Sequence, residues 1–149
     1  MLPRKIHSSL AFIALLAFSS LHAATPPEIS AKSAILLDAN TGAVLYKKND
    51  TAQRPVASTQ KLLTALIVAE TGNLSEKVKV AEVDTNCDPT KLYLKPGQSY
   101  TRNQLLYALL VKSANDVARV HARDNAGDVS SIAERMTRRM KELGGTSSN

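Results

Sequence analysis

The sequence contains no tryptophan, and aromatic residues make up only 4% of its 149 residues. Sites that stack bases or sugar rings depend on aromatic side chains, so this scarcity argues against a stacking platform. No internal repeat or low-complexity tract is present. The remaining composition, 44% hydrophobic and 21% charged, is typical of a soluble globular protein with room for one domain of ordinary size.

Cysteine and histidine are also scarce. The single cysteine, Cys87, cannot form an internal disulfide and has no Cys or His neighbour at metal-ligand spacing, which predicts a bystander role. His7 and His22 lie within the first 24 residues, so only His121 remains for a Ser-His-Asp triad or a zinc site. A lone helical histidine is usually a surface or core residue, and we expect neither a metal nor another cofactor.

The amino terminus differs from the rest of the chain. Arg4 and Lys5 precede an uncharged apolar run from Leu10 to Phe18, which is followed by small residues at Ala23 and Ala24. This pattern predicts a secretory signal peptide over residues 1–24, cleaved after Ala23 or Ala24, with the functional domain over residues 25–149. The apolar run is too short to span about 30 Å of hydrocarbon, although an uncleaved anchor is the alternative interpretation.

The formal net charge of +6 falls to about +4 when the first 24 residues are removed. Much of the excess belongs to a carboxyl-terminal cluster of Arg135, Arg138, Arg139 and Lys141. A solvated helix face is the ordinary interpretation of such a cluster, and peripheral contact with an anionic membrane or cell wall is the alternative. Because exported proteins rarely meet nucleic acid, we expect no nucleic-acid partner.

The first elements after the leader are a predicted hairpin and a predicted helix. Apolar runs over Ala34–Leu37 and Ala43–Tyr46 flank a turn-forming segment at Asp38–Gly42, as in a β-hairpin. Helix one is expected over Ser58–Glu70. Its segment Leu62–Ala69 is apolar almost all round, which predicts a buried helix.

Residues 73–100 are rich in turns, so we expect irregular connections and a short strand there. Thr101 and Gln104 form a capping box that opens a second helix ending near Lys112, and a third helix is expected over Asp116–Ala126.

A fourth helix is expected to begin with a capping box of Ser131 and Glu134 and to end at Gly144-Gly145. Its predicted buried face consists of Ile132, Met136, Met140 and Leu143.

Two short motifs at helix ends carry the candidate chemistry. In Ser58-Thr59-Gln60-Lys61, the three-residue spacing places the amine within reach of the hydroxyl. A serine becomes nucleophilic when a base removes its proton, and burial in the apolar helix is one way to keep a lysine neutral for that task. The alternative interpretation is a helix cap beside a surface lysine.

The second motif is Ser113-Ala114-Asn115, at the junction of the second and third predicted helices. Its hydroxyl could relay a proton, and its amide could bind a substrate amide or hold the lysine. The terminal Ser147-Ser148-Asn149 matches equally well, so only placement after a buried helix distinguishes the first match.

In order and separation, these motifs resemble the serine D-alanyl-D-alanine carboxypeptidases of low molecular mass, which are penicillin-binding proteins. The resemblance also includes Leu94-Lys95-Pro96-Gly97, the Asp116 that follows Asn115, and a late Lys141-Glu142-Leu143-Gly144. It implies an α+β fold of the β-lactamase and penicillin-binding-protein type, with an amino-terminal hairpin and a helical cluster but without the remaining sheet strands. It also implies export to the periplasm or cell-envelope surface of a bacterium.

The resemblance implies a role for each matching residue. Ser58 forms the acyl-enzyme, Lys61 activates it, Ser113 shuttles the proton and Asn115 helps to hold the substrate. The implied substrate is a peptidoglycan stem peptide ending in D-Ala-D-Ala, β-lactams act as acylating inhibitors, and no metal is needed.

One departure from the family pattern is clear. The family has a Lys-Thr-Gly motif on a later strand, whereas Thr41-Gly42 and Thr71-Gly72 in this sequence follow Asn40 and Glu70. Loss of one oxyanion donor costs about 100- to 1,000-fold in rate, so we expect weak or no activity from this chain alone. A class A β-lactamase-like hydrolase and a noncatalytic peptidoglycan-binding remnant are the alternatives.

Overall fold

The computed structural model describes residues 25–148. The predicted signal peptide and Asn149 therefore lie outside the described residues, and the division of the chain at residue 24 stays a prediction. The chain divides between Ala52 and Gln53 into two compact units. Within residues 25–148, no helix is long and apolar enough to cross a lipid bilayer.

The first unit contains the predicted hairpin. Strand β1 (Ala34–Leu37) pairs antiparallel with β2 (Val44–Lys48), and the register shifts between Leu36 and Leu37. The turn is held by Asp38, whose carboxylate accepts the backbone N–H groups of Asn40 at 3.1 Å and Thr41 at 2.8 Å. The hairpin prediction is confirmed.

The second unit contains the helices and a second pair of strands. In chain order it comprises a 3-10 turn (Ala57–Thr59), α1 (Gln60–Thr71), β3 (Lys77–Lys79), α2 (Glu82–Thr85), β4 (Ser99–Thr101), α3 (Arg102–Lys112), α4 (Asn115–Ala126) and α5 (Val129–Glu142). Strand β3 pairs antiparallel with β4. The segment expected to be mostly irregular thus holds two strands and a short helix, and the predicted α+β class is confirmed.

The helices pack around two apolar clusters. The larger one joins α1, β3, α3 and α4, and its largest fully buried members are Val68, Val80, Leu105, Leu109, Val117 and Val120. The smaller one joins α1, α4 and α5 through Ile67, Ala122 and Ile132. These clusters position the start of α1 and the α3–α4 junction on one packed framework.

Buried ion pairs connect the same elements. Arg102 at the start of α3 is 9% exposed, and its guanidinium lies 2.7 Å from the Asp124 carboxylate and 2.8 Å from that of Glu76. Arg123 on α4 pairs with the buried Asp84 at 2.8 Å. Removing one partner of such a pair would leave a buried charge uncompensated, so these contacts constrain how α4 sits against its neighbours.

Three expectations about the helices require correction. Helix one does not begin as an α-helix at Ser58, because Ala57–Thr59 form a 3-10 turn that leads into α1. Nor is its apolar segment buried all round: α3, α4 and α5 pack against one side of α1, while Leu62 and Leu66 on the other side are 63% and 36% exposed.

The third correction concerns α5. It begins at Val129, capped by Asp128, so the predicted Ser131 and Glu134 capping box is wrong. Leu143, expected on its buried face, is 52% exposed because it lies beyond the last helical residue. The Thr101 and Gln104 capping box of α3 is confirmed.

Candidate active site

Ser58 and Lys61 form a contact at the start of α1. The Lys61 Nζ atom donates a hydrogen bond to Ser58 Oγ at 3.4 Å. A 3-10 turn repeats every three residues, so the turn around Ser58 keeps the two side chains on the same side. The hydroxyl and the amine are therefore close enough for proton transfer once a bound substrate tightens the contact.

The two members of this pair differ in solvent exposure. Ser58 is exposed, whereas Lys61 is only 8% exposed. Among the described residues, no carboxylate forms an ion pair with Lys61. An accessible nucleophile and a sheltered base are the arrangement that acyl transfer requires.

Ser113 lies at the carboxyl end of α3. It adopts a left-handed conformation, with φ of 54° and ψ of 34°, and its backbone N–H donates to the Leu109 carbonyl at 2.9 Å. Its Oγ atom is buried and has no hydrogen-bond partner within the described part of the chain. A buried hydroxyl without a partner costs free energy, so an ordered water, a ligand or a rearrangement is expected to supply a partner for Ser113 Oγ.

Asn115 is the first residue of α4. Its side-chain Nδ2 donates to the carbonyl oxygens of Asp88 at 3.1 Å and Pro89 at 3.2 Å, and its backbone N–H donates to Thr90 at 2.7 Å. The amide hydrogens of Asn115 are thus used within the protein. Of this side-chain amide, the oxygen atom Oδ1 is therefore the part left to bind a substrate or the lysine.

The four predicted residues fall into two groups within the second unit. Ser58 and Lys61 are in direct contact, and α1 packs against both α3 and α4, whose junction carries Ser113 and Asn115. No hydrogen bond in residues 25–148 links the first group to the second. Their catalytic roles stay predictions.

Unfavourable backbone conformations occur at or near the candidate site residues. Among the described residues, five non-glycine residues have positive φ. Asn49 and Asn73 are of the type that tolerates this conformation, whereas Ala57, Tyr93 and Ser113 are not. Ala57 precedes the nucleophile candidate, Ser113 is the relay candidate, and Tyr93 lies in the loop bound by Asn115. Backbone strain of this kind concentrates at functional sites.

Sequence reasoning missed the structural importance of Asp116. It lies in the first turn of α4, is fully buried, and its carboxylate accepts the backbone N–H groups of Leu92 and Leu94, each at 3.1 Å. The signal available in the sequence was an acidic residue at a helix start immediately before the buried Val117. Its distant backbone partners could not be inferred from spacing.

The remaining nucleophile and base candidates are Cys87 and His121. Burial raises the pKa of the Cys87 thiol, which keeps it protonated and weakly nucleophilic at neutral pH. His121 is fully buried, and burial lowers its pKa to about 4. Within residues 25–148, no group of three or more His, Cys, Asp or Glu side chains is placed to hold a metal ion.

Sequence comparison identifies similar proteins. A family model described as D-alanyl-D-alanine carboxypeptidase matches residues 20–148. The D-alanyl-D-alanine carboxypeptidase DacF of Bacillus subtilis is 31% identical over 119 residues, which cover 76% of this chain and 31% of that protein. DacB2 of Mycobacterium tuberculosis is 34% identical over 123 residues, which cover 83% of this chain and 42% of that protein.

Solved structures are similar as well. A D-alanyl-D-alanine carboxypeptidase from Mycobacterium tuberculosis has a TM-score of 0.80 at 32% identity, over 85% of this chain and 47% of that one. Penicillin binding protein 5 from Haemophilus influenzae has a TM-score of 0.76 at 25% identity, over 82% of this chain and 38% of that one. The chain spans less than half the length of each of these proteins.

Proposed function

This chain belongs to the D-alanyl-D-alanine carboxypeptidase family, with the α+β fold of penicillin-binding proteins, and we propose that it carries the acylating half of a serine-type carboxypeptidase site. The observation that carries the proposal is the 3.4 Å contact between the exposed Ser58 hydroxyl and the buried Lys61 amine. The proposed substrate is a peptidoglycan stem peptide ending in D-Ala-D-Ala.

The proposed reaction has two halves. In the first, neutral Lys61 accepts the Ser58 proton while Oγ attacks the carbonyl carbon of the penultimate D-alanine. The tetrahedral intermediate then breaks its C–N bond, and a proton returned through Ser113 allows the terminal D-alanine to leave as a neutral amine. In the second half, water loses a proton to Lys61 and attacks the acyl carbon. The C–O bond to Ser58 then breaks, and Lys61 returns the proton to Ser58 Oγ, which regenerates the free serine and the neutral lysine. β-Lactams enter the first half because their strained amide is also an acyl donor.

Export forms part of the proposal, because peptidoglycan lies outside the cytoplasm. The charges at Arg4 and Lys5, the apolar run 10–18 and the small residues Ala23 and Ala24 support a signal peptide, and hence a location in the periplasm or at the cell-envelope surface.

Fluorescent penicillin tests the nucleophile. Although turnover of a D-Ala-D-Ala peptide by this chain alone is expected to be weak or absent, penicillin should still acylate it. The covalent label should be lost in Ser58→Ala and slowed about 100-fold or more in Lys61→Gln, because the base contributes at least that factor. Ser130→Ala, which removes an exposed hydroxyl on α5, is the matched control and should label like the parent chain.

Three outcomes would contradict the proposal. Label that persists in Ser58→Ala would place the nucleophile elsewhere. A well-folded chain that takes no label would favour a noncatalytic peptidoglycan-binding protein. Rapid hydrolysis of penicillin with no release of D-alanine from a D-Ala-D-Ala peptide would indicate a β-lactamase-like hydrolase instead.

A further inference from the structure

An open groove, termed here the α3 groove, lies between α3 and the segment that leads into this helix. Its volume is about 370 Å³, which is within the range of small-ligand sites. The Tyr100 hydroxyl donates to Gln98 Oε1 at 3.0 Å, and Gln104 Oε1 accepts the Thr101 N–H at 2.9 Å, so these polar atoms already have partners. The rest of the wall is mostly aliphatic. The residues that line the groove are Leu92, Leu94, Tyr100, Gln104, Leu105 and Ala108.

Helix α3 extends the apolar surface beyond the groove. Tyr107 lies three residues after Gln104, and Val111 lies three residues after Ala108. Residues at this spacing are neighbours on the surface of a helix, so Tyr107 and Val111 flank the groove. Their side chains are 68% and 76% exposed. Because contiguous exposed apolar surface marks interaction sites, this face of α3 is a candidate docking surface.

The charges along the walls of the α3 groove are all positive. Residues 91–112 supply both walls, and this segment contains four basic residues but no aspartate or glutamate. Lys91 and Arg102 already bond to other parts of the protein. Lys95 and Lys112 are exposed, and within residues 25–148 neither of them forms an ion pair. Two unpaired positive charges are therefore available to a ligand.

Each wall of the groove carries one of these two lysines. Lys95 directly follows the lining residue Leu94, and Lys112 lies one helical turn after the lining residue Ala108. A ligand seated in the groove would thus meet a positive charge on either side. Carboxylates that flank an apolar group would gain from both charges.

This combination selects the chemistry of the partner. The apolar floor favours an aliphatic or aromatic side chain, and the positive walls favour neighbouring carboxylates. An anionic lipid bilayer also attracts basic and apolar residues. A bilayer surface contacts side chains that protrude, however, and does not fill a concave groove. The observations therefore favour an acidic peptide segment with an apolar anchor.

We propose that the α3 groove is a docking site for an acidic peptide segment of a partner protein. The segment inserts an apolar side chain between α3 and residues 92–100 and places carboxylates near Lys95 and Lys112. This inference is independent of the proposed function, because none of the groove residues belongs to the acylating site.

Fluorescence anisotropy with a short labelled peptide tests the groove. The probe has two adjacent leucines between runs of glutamate, and its two controls replace either the leucines with serine or the glutamates with glutamine. The parent chain should bind the probe at least about 10-fold more tightly than either control, because one control lacks the apolar anchor and the other lacks the charge. Equal binding of all three peptides would overturn the proposal.

Ala108→Leu fills the floor of the groove without changing its charge. Leucine is favourable in a helix, and the variant should bind the probe about 10-fold or more weakly, because the inserted side chain loses its space. Ala133→Leu, the same substitution at an exposed position of α5, is the matched control and should bind like the parent chain. If Ala108→Leu does not fold, Val111→Ser at the exposed rim carries the test through loss of apolar contact. Unchanged binding in a folded groove variant would refute this site.

Removal of the two lysines tests the charges. The double variant Lys95→Gln, Lys112→Gln should bind the probe about 3- to 10-fold more weakly and show a smaller dependence on salt. Lys47→Gln combined with Lys141→Gln, at exposed positions elsewhere, should bind like the parent chain. Phosphatidylglycerol vesicles measure the other partner. Vesicle binding that Ala108→Leu leaves unchanged, with no binding of the peptide, would indicate contact with a lipid surface and overturn the peptide site.

Discussion

His121 is a buried titratable residue whose protonation is coupled to folding. It is fully buried on α4, and burial lowers its pKa from 6.5 to about 4, although the Leu105 backbone and the Asp124 carboxylate favour the charged form. Charging this imidazole would place a cation in the buried part of the helical unit. In the unfolded chain the same group takes up its proton near pH 6.5.

The free energy of unfolding should therefore decrease as the pH falls from about 6.5 to about 4. In this window the unfolded chain binds a proton at His121 that the folded chain does not, so the contribution present at pH 7 is lost progressively. The full loss is about 3 kcal/mol, at 1.4 kcal/mol for each unit of pKa difference. Urea denaturation at several pH values measures it.

The control for this measurement is His121→Gln, which should flatten the slope between pH 6.5 and 4.5. The carboxylates of Asp38 and Asp128 also have lowered pKa values, through hydrogen bonds to Thr41 and Ser131 respectively, but their stabilisation is lost below that window. An equal slope in His121→Gln would show that another group is responsible.

Helix α5 shows how a single acceptor determines where an element begins. Gly127, with φ of 90°, ends α4, and the Asp128 carboxylate then accepts the Ser131 N–H at 2.7 Å. A Ser131 cap would accept the Glu134 N–H and leave its own N–H to the Glu134 side chain, but the Asp128 carboxylate takes the Ser131 N–H and adds a favourable charge at the helix start. The predicted capping box fails because Asp128 already occupies its N–H group.

Replacing the cap should destabilise the protein measurably. Asp128→Ala removes the acceptor of the Ser131 N–H and should lower the free energy of unfolding, because the first turn of α5 loses its cap. Glu134→Ala removes the acidic partner of the mistaken capping box and should change stability by less than about 0.5 kcal/mol. Chemical denaturation compares the two, and a larger loss for Glu134→Ala would restore the original prediction.

At the scale of the whole molecule, the described chain is a hairpin unit and a helical unit, and all four candidate site residues belong to the latter. This division matters for experiments, because the folding of a variant in residues 53–148 can be measured on the helical unit that contains the substitution. For the amino-terminal segment we propose a different role, which is export of the protein.

Processing of that segment is directly measurable. Expressed in a bacterium, the chain should lose residues 1–23 or 1–24, and its mature mass should be found outside the cytoplasm. Replacing Leu15 and Leu16 with Asp interrupts the apolar run and should leave an unprocessed cytoplasmic chain. Full-length protein recovered from the cytoplasm of cells expressing the parent sequence would contradict export.

Much of this protein could be predicted from local sequence patterns. The hairpin at Asp38, the capping box at Thr101 and the spacing of Ser58 and Lys61 each depend on residues two to six positions apart. Interactions at such short range are dictated by backbone geometry, and for that reason a sequence alone can indicate them.

What required the tertiary structure is every contact between distant segments. The carbonyl partners of the Asn115 side chain are 26 and 27 residues away, and the Asp116 partners are 22 and 24 residues away. Packing among the helices also decided which side of α1 is covered and that His121 lies in the core. The sequence by itself therefore determined the residue types and local geometry of the candidate site, whereas the 88–94 loop and its hold on Asn115 exist only because folding brings distant backbone groups together.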